Sequence, residues 1–268
     1  MTAMDTGLKM KPLHVQTTGQ GPDIVLLHGW GMHGGYWDGL VSVLKEHYRV
    51  HCIDLPGHGR SDYHGEQTLQ DYADVIVQTM QQHIESAAVL MGWSLGGLIA
   101  QRMVLDHAQL FRRLILMAST ASFVQREGWP HALSADVLHG FARDLLEDYK
   151  GTLKRFLALQ VRGSERQQQG LRELKARLFV HGEPRQEALR VGLELLRDTD
   201  LRHELPMLAK PVCIIGGERD TLVPVEVLNE MAQLLPDAST HSIKGAGHAP
   251  FLSHPQDVLM MMKEFLPT

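Results

Sequence analysis

The chain has 268 residues, 44% of them hydrophobic and 21% charged, and its formal net charge is −5. This composition is that of a globular protein with a sizeable core, and the acidic balance argues against nucleic acid as a main ligand. No apolar run of 18 residues and no basic start followed by an apolar core occurs, so neither membrane association nor secretion is predicted, and the expected location is the cytoplasm.

Short apolar runs alternate along the chain with longer amphipathic stretches, a pattern typical of a parallel sheet covered by helices. The predicted strands are residues 24–28, 49–54, 87–92, 113–117, 212–216 and 239–243. The predicted helices between them are residues 35–46, 69–84, 95–106, 225–234 and 255–265. Because most of the strands are continuous apolar runs, we expect both faces of the sheet to be covered.

The alternation breaks once, between Phe123 and Arg197, where three or four helices are predicted and no strand. We therefore predict an α/β fold with a core of residues 11–121 and 198–268, and a helical lid of residues 122–197 over one end of the sheet. Residues 1–10 are predicted to be a flexible extension, since Met1, Met4 and Met10 are alternative start residues.

The chemistry is indicated first by residues 92–96, which read Gly-Trp-Ser-Leu-Gly between a predicted strand and a predicted helix. In this context a G-x-S-x-G motif places a nucleophilic serine, here Ser94, on a turn so tight that the flanking glycines are a steric requirement. The backbone N–H of Leu95 would then face the negative charge that develops in the reaction. A second such donor is predicted to be the N–H of Trp30, in the glycine-rich loop after the first strand.

A serine hydroxyl needs a base to activate it and a third group to orient that base. His248 follows Gly-Ala-Gly after the last predicted strand, and we predict that it is the base. Asp220, on the loop after strand 212–216, is the predicted orienting acid, with Glu218, Asp198 and Asp200 as competing acids. The glycine-rich loop at residues 55–61 is interpreted as architectural.

The predicted lid is basic although the protein is acidic. Residues 149–177 contain eight Lys or Arg and two Glu, a local balance of +6. Such a patch would attract and orient an acidic macromolecule, the alternative being a solvated helical face. The apolar residues within 156–159 lie on the same insertion, where they would line a tunnel for an alkyl chain or pack between helices.

Residues 28–31, 54–61, 92–97 and 247–248, together with Asp220, resemble the α/β-hydrolase superfamily over essentially the whole chain. Within it, residues 92–97, 155–160 and 247–255 are similar to the biotin-pathway carboxylesterases. The resemblance implies that the substrate is the methyl ester of pimeloyl-[acyl-carrier protein] and that the partner is an acyl carrier protein. The expected reaction proceeds through an acyl-enzyme and needs no metal and no cofactor.

The resemblance also implies a set of binding residues. The substrate contacts are expected from Trp30, Ser94, Leu95, Phe156, Leu157, Ala158, Leu159, Gln160 and His248. Carrier-protein docking is expected at Lys150, Lys154, Arg155 and Arg172. Of the family's lid arginines, those at 155 and 172 are in register, whereas Gly151 and Gln168 replace two others.

Three rival functions share these features. A general short-chain carboxylesterase and a carbon–carbon bond hydrolase would use the same catalytic residues, and a cofactor-free haloperoxidase-like activity occurs on the same scaffold. A ligand receptor without catalysis is the rival from another class. We further expect the protein to be a monomer.

Overall fold

The computed structural model describes residues 12–267, so the extension predicted at residues 1–10 lies outside the described part. Seven strands of this part form one sheet: β1 (Val15–Thr18), β2 (Asp23–Leu27), β3 (Arg49–Ile53), β4 (Ala88–Trp93), β5 (Phe111–Met117), β6 (Val212–Gly217) and β7 (Ala238–Ile243). Their order in the sheet is β1-β3-β2-β4-β5-β6-β7. Only β1 runs antiparallel to its neighbour, and every other adjacent pair is parallel.

Helices flank this sheet. They are α1 (Asp38–Leu44), α2 (Leu69–Met80), α3 (Leu95–Asp106), α4 (Ala135–Glu147), α5 (Tyr149–Gln160), α6 (Gln167–Arg177), α7 (Gln186–Asp198), α8 (Val225–Leu234), α9 (Pro250–Ser253) and α10 (Pro255–Phe265). The predicted α/β fold with a mostly parallel sheet is confirmed. None of the described helices combines the length and the apolar character that a bilayer crossing requires.

Burial of the central strands explains why their sequences are uniformly apolar. All residues of β2, β4 and β6 are buried, because helices cover both faces of the sheet. Strand β1 was not predicted from the sequence. Its four residues are polar or partly exposed, and it lies at the edge of the sheet, so it is held by backbone pairing with β3 rather than by an apolar face.

Helix α2 shows how local sequence sets an element's start. The Thr68 hydroxyl accepts a hydrogen bond from Asp71 N at 3.1 Å, and the Asp71 carboxylate accepts one from Thr68 N at 2.9 Å. This capping box stabilises the first turn by about 1 kcal/mol. The helix ends at Met80, four residues before the predicted end, because residues 81–83 form turns instead.

Helices α4 to α7, residues 135–198, are called the helical insertion below. They lie between β5 and β6 in the chain and are fastened to the loops at the carboxyl ends of the strands. Tyr36 Oη donates a hydrogen bond to Leu174 O at 2.9 Å, and His33 Nε2 lies 2.8 Å from Arg177 O. These contacts place the insertion over the carboxyl ends of the strands, which is where ligands bind in α/β proteins.

Candidate active site

Ser94 occupies a strained turn between β4 and α3. Its φ is 54° and its ψ is −118°, in a region that non-glycine residues enter at a cost of about 1–3 kcal/mol. Two hydrogen bonds hold the turn: Ser94 N donates to Met117 O at 3.0 Å, and Ser119 Oγ donates to Ser94 O at 2.7 Å. The side chain is therefore fixed at the end of β4, as the motif predicts.

The two flanking glycines have no room for a side chain. A Cβ added to Gly96 would lie 2.5 Å from the carbonyl oxygens of both Leu27 and His28. A Cβ added to Gly92 would collide with Gly96 O. The close approach of these backbones is what aims the serine outward, so glycine at both positions is a requirement of the turn.

His248 and Asp220 lie side by side beyond the ends of β7 and β6. His248 Nδ1 donates to Asp220 Oδ2 at 2.7 Å, and both side chains are buried. The other carboxylate oxygen accepts from the backbone N–H groups of Leu222 and Val223 at 2.8 and 3.0 Å. A carboxylate held in this way fixes the imidazole with its proton on Nδ1, which leaves Nε2 unprotonated and able to act as a base.

The backbone of His248 is held on both sides as well. His248 N donates to Gln160 O at 2.9 Å, and Trp93 Nε1 donates to His248 O at 2.8 Å. His248 Nε2 is buried without a hydrogen-bond partner among residues 12–267, and it lines the same narrow cavity as Ser94. The structure thus brings together the three predicted catalytic side chains.

The competing acids have other partners. Glu218 accepts a hydrogen bond from Gly245 N at 2.9 Å, which braces the loop that carries His248. Asp198 pairs with Arg197, and Asp200 pairs with Arg202. In both pairs the guanidinium lowers the pKa of the aspartate. Asp220 alone among the four carboxylates contacts His248.

The loop after β2 borders the serine. A Cβ added to Gly29 would lie 3.3 Å from Ser94 Cβ. The next residue, Trp30, has a backbone N–H without an acceptor in the described part of the chain. Leu95 is the first residue of α3, so its N–H has no partner within the helix. Both N–H groups are thus unpartnered in segments that adjoin Ser94, as the predicted oxyanion hole requires.

The indole of Trp30 is buried and joins this loop to the helical insertion. Its Nε1 donates to Leu189 O at 2.7 Å, and its ring meets Phe156 edge-on at 4.8 Å between centroids. The ring therefore packs between this loop and the helical insertion, while the backbone N–H of Trp30 has no partner in the described part of the chain.

The cavity at Ser94 and His248 has apolar walls. Its other lining residues are Phe123, Leu133, Val137, Leu138, Phe141, Phe156, Leu196 and Leu222. Its volume is about 10 Å³, about the space of one water molecule. An alkyl chain suits these walls, but it enters only if side chains of the insertion move.

The predicted substrate stretch, residues 156–160, separates into several environments. Phe156 lines the cavity, whereas Leu157 is fully buried in the core and Ala158 is half-buried. Leu159 lines an outer groove of about 360 Å³ between α4 and α5. Gln160 is buried beside His248, and its side-chain amide has no partner among residues 12–267.

The outer groove and the inner cavity share two lining residues. Val137 and Phe141 border both, so these side chains lie between the groove and the cavity at Ser94. Arg155 and Asp144 lie at the groove and form a salt bridge of 3.1 Å. Val137 and Phe141 were not predicted as lining residues, because an apolar helix face in a sequence indicates packing and a cavity wall equally well.

The predicted docking cations all lie on the surface of the insertion. Lys150 pairs with Glu183 at 2.5 Å, and Arg155 pairs with Asp144. Lys154 and Arg172 are exposed and have no acidic partner within residues 12–267. Exposed ion pairs of this kind are weak, so all four cations are accessible to a more acidic partner. No group of three His, Cys, Asp or Glu side chains in the described part is arranged to hold a metal.

Comparison with known proteins agrees with this arrangement. A family model described as alpha/beta hydrolase fold matches residues 22–255. The pimeloyl-[acyl-carrier protein] methyl ester esterase of Xanthomonas oryzae pv. oryzae is 42% identical over 257 residues, covering 95% of this chain and 98% of the relative. The protein of the same name from Vibrio vulnificus is 38% identical over 253 residues, covering 94% and 97%.

Solved structures show the same fold. An esterase from Exiguobacterium antarcticum superposes with a TM-score of 0.85 and 25% identity, covering 94% of both chains. A bromoperoxidase from Bacillus anthracis superposes with a TM-score of 0.84 at 21% identity, covering 93% of this chain and 94% of the other. The likeness to the bromoperoxidase concerns the fold alone.

Proposed function

The chain belongs to the alpha/beta hydrolase fold family, and we propose that it is a serine carboxylesterase that hydrolyses the methyl ester of pimeloyl-[acyl-carrier protein] in biotin biosynthesis. The observation that carries this proposal is similarity over nearly the full length to relatives with that named activity. The arrangement of Ser94, His248 and Asp220 at one edge of the sheet supports the same chemistry.

The mechanism follows from the geometry. His248 Nε2 takes the proton of Ser94 Oγ as the oxygen attacks the ester carbonyl carbon, and Asp220 stabilises the imidazolium that forms. The backbone N–H groups of Trp30 and Leu95 donate to the oxyanion of the tetrahedral intermediate. Collapse of that intermediate releases methanol, which receives its proton from His248.

In the second half of the reaction, His248 activates a water molecule in place of Ser94. Water enters beside His248, gives a proton to Nε2, and attacks the carbonyl carbon of the acyl-enzyme. Collapse of the second intermediate returns the proton to Ser94 Oγ and releases the free carboxylate. No step needs a metal or a cofactor.

In this proposal residues 122–197, which include nearly all of the helical insertion, form a lid, and the acyl chain is held between this lid and the core. Phe156, Val137 and Phe141 provide apolar contacts for the chain. The outer groove between α4 and α5 is the route by which a chain tethered to a carrier reaches Ser94. Binding in such a groove keeps the carrier outside and the ester inside.

The partner is an acyl carrier protein, which is acidic, and its docking surface is the basic face at Lys150, Lys154, Arg155 and Arg172. Attraction between surfaces of opposite charge raises the rate of encounter and orients the partner. Arg155 lies at the groove itself, so docking there aligns the tether with the entrance. The enzyme acts as a monomer in the cytoplasm.

Complementation of a biotin auxotroph that lacks this esterase tests the proposal. Growth without biotin is the expected result, and the Ser94→Ala variant should not restore it. If growth fails while purified protein cleaves p-nitrophenyl esters, the pathway assignment is wrong and a general esterase remains. If neither activity is found, the receptor without catalysis is favoured instead.

Charge reversal tests the docking surface. The double variant Arg155→Glu and Arg172→Glu should lower kcat/KM for the carrier-bound ester by at least about tenfold, while kcat/KM for a small free ester stays within about twofold. Arg112→Glu is the matched control, since Arg112 is exposed at the amino-terminal end of β5, away from the insertion. Equal effects on both substrates, or an equal effect of Arg112→Glu, would contradict the assignment.

A further inference from the structure

Two buried histidines connect the loop after β2 to the loop at residues 55–61. His28 Nδ1 lies 2.8 Å from Gly29 O, and its Nε2 accepts the backbone N–H of Leu55 at 2.9 Å. A carbonyl oxygen only accepts and a backbone N–H only donates. The ring is therefore the neutral tautomer with its proton on Nδ1.

His58 repeats this arrangement from the other loop. Its Nδ1 lies 2.9 Å from Pro56 O, and its Nε2 accepts the backbone N–H of Gly31 at 3.2 Å. Gly31 follows Trp30 directly and has a φ of +71°, which a side chain would make strained. The bond from Gly31 to His58 therefore holds the backbone immediately after the Trp30 amide.

The surroundings keep both rings uncharged. The two rings lie 5.4 Å apart and are fully buried. Burial lowers the pKa of His28 to about 3 and that of His58 to about 4. Of the groups that face His58, the Asp54 carboxylate opposes this shift, and His33 adds to it. A charged His58 would place a proton on Nε2 and lose Gly31 as a donor.

We propose that His58 is a positioning residue, which holds Gly31 and thereby fixes the backbone N–H of Trp30 toward the oxyanion. This inference rests on the proposed function, because it assigns a role within the same reaction. The Trp30 indole is anchored separately by Leu189 O on the insertion, so the ring and the backbone of Trp30 are held by different partners. His28 anchors the start of the same loop.

The effect of losing this contact is bounded by the effect of losing an oxyanion donor, which costs about 10²- to 10³-fold in kcat. A displaced donor retains part of its interaction, so a loss of about 10- to 100-fold in kcat is expected, with KM changed by less than about threefold. A residue that serves folding alone would lower the apparent kcat only in proportion to the loss of folded protein, so kcat is expressed per folded molecule.

The test compares two amides of different length. In His58→Asn the amide is long enough to donate to Pro56 O but too short to accept from Gly31 N–H, so kcat should fall as stated. In His58→Gln the longer amide reaches the former Nε2 position, so most of kcat should return. The matched control is His51→Asn. His51 is equally buried, but it bonds to Thr17 and to Asp23, which lies at the amino-terminal end of β2 and away from Ser94.

The assay is hydrolysis of p-nitrophenyl butyrate by each full-length variant, with circular dichroism to measure the folded fraction at the assay temperature. The proposal is overturned if His58→Asn keeps kcat within about twofold of the parent, if His58→Gln is equally impaired, or if His51→Asn loses as much. An inactive parent instead contradicts the proposed function, so the two failures are distinguishable.

A measurement on the parent protein covers the case in which His58→Asn does not fold. Nitrogen-15 NMR at about pH 5.5, where an ordinary histidine is mostly charged, should find His58 neutral with its proton on Nδ1. A charged His58, or a proton on Nε2, would overturn the proposal.

Discussion

Lowering the pH from about 7 to 5 should reduce the free energy of unfolding by at least about 4 kcal/mol, because His28 and His58 are neutral in the folded protein. Burial lowers their pKa values to about 3 and about 4. In the unfolded chain both titrate near 6.5. Between the folded pKa values and about pH 6.5 the unfolded state binds more protons than the folded state. Stability therefore rises with pH in this range and is lost as the pH falls.

The magnitude follows from the number of protons. Each additional proton on the unfolded chain changes the free energy of unfolding by about 1.4 kcal/mol per pH unit, and each histidine contributes about 2 kcal/mol between pH 7 and 5. This result requires only that both folded pKa values lie well below 5. Carboxylates contribute at lower pH, as with Asp23, whose pKa falls to about 2 because Arg49 and His51 bond to it against the opposing effect of burial.

Equilibrium urea unfolding followed by circular dichroism at about pH 7, 6 and 5 measures this dependence. The His58→Gln variant removes one titrating ring and should lose about 2 kcal/mol of this pH dependence, whereas His14, His33 and His51, whose pKa values burial also lowers, keep their contributions. A change below about 1 kcal/mol in the parent would refute the reasoning, because the buried rings would then be charged in the folded state.

Three further substitutions test other contacts. Asp220→Asn should lower kcat for p-nitrophenyl butyrate by about 10³- to 10⁴-fold with little change in folding, since it removes the carboxylate that orients His248; near-normal kcat would exclude Asp220 as the orienting acid. Gly96→Ala should abolish activity and lower the melting temperature by several degrees, and an active, equally stable variant would contradict the steric account of the turn. Trp30→Phe removes the bond to Leu189 O and should cost about 1–3 kcal/mol in urea unfolding, whereas unchanged stability would show that this bond contributes nothing.

The alternation of strands and helices was predictable because buried strands and amphipathic helices leave different apolar periods in the sequence. Strand β1 shows the limit: its four residues carry no apolar face, and only their backbone pairing with β3 makes them a strand. The short helix α9 was not predicted either, since four residues are too few to show a helical apolar period. Tertiary pairing decides both elements.

The three residues of the proposed catalytic triad could be selected from the sequence for a different reason. Ser94, Asp220 and His248 each follow a strand, and two of them are marked by glycines that the tight turns need. The cavity walls carry no such mark. Phe156 lines the cavity while its neighbour Leu157 is buried in the core, although the two are equally apolar in the sequence. Only the packing of α4 on α5 decides that Phe156 lines the cavity and Leu157 does not.

The loop at residues 55–61 illustrates the same point for polar residues. Its sequence predicts an architectural loop, and its glycines support that interpretation. The role we propose for its histidine depends on a contact with Gly31, 27 positions earlier in the chain. Contacts between distant loops are set by the whole fold, so no local pattern predicts them.

The most direct test of the central claim is mass spectrometry of the substrate itself. Purified protein is incubated with pimeloyl-[acyl-carrier protein] methyl ester, and the mass of the intact carrier protein is followed over time. We predict a loss of one methylene mass, from methyl ester to free acid, with the parent protein and no change with Ser94→Ala. An unchanged carrier with the parent, or equal conversion by Ser94→Ala, would contradict the account.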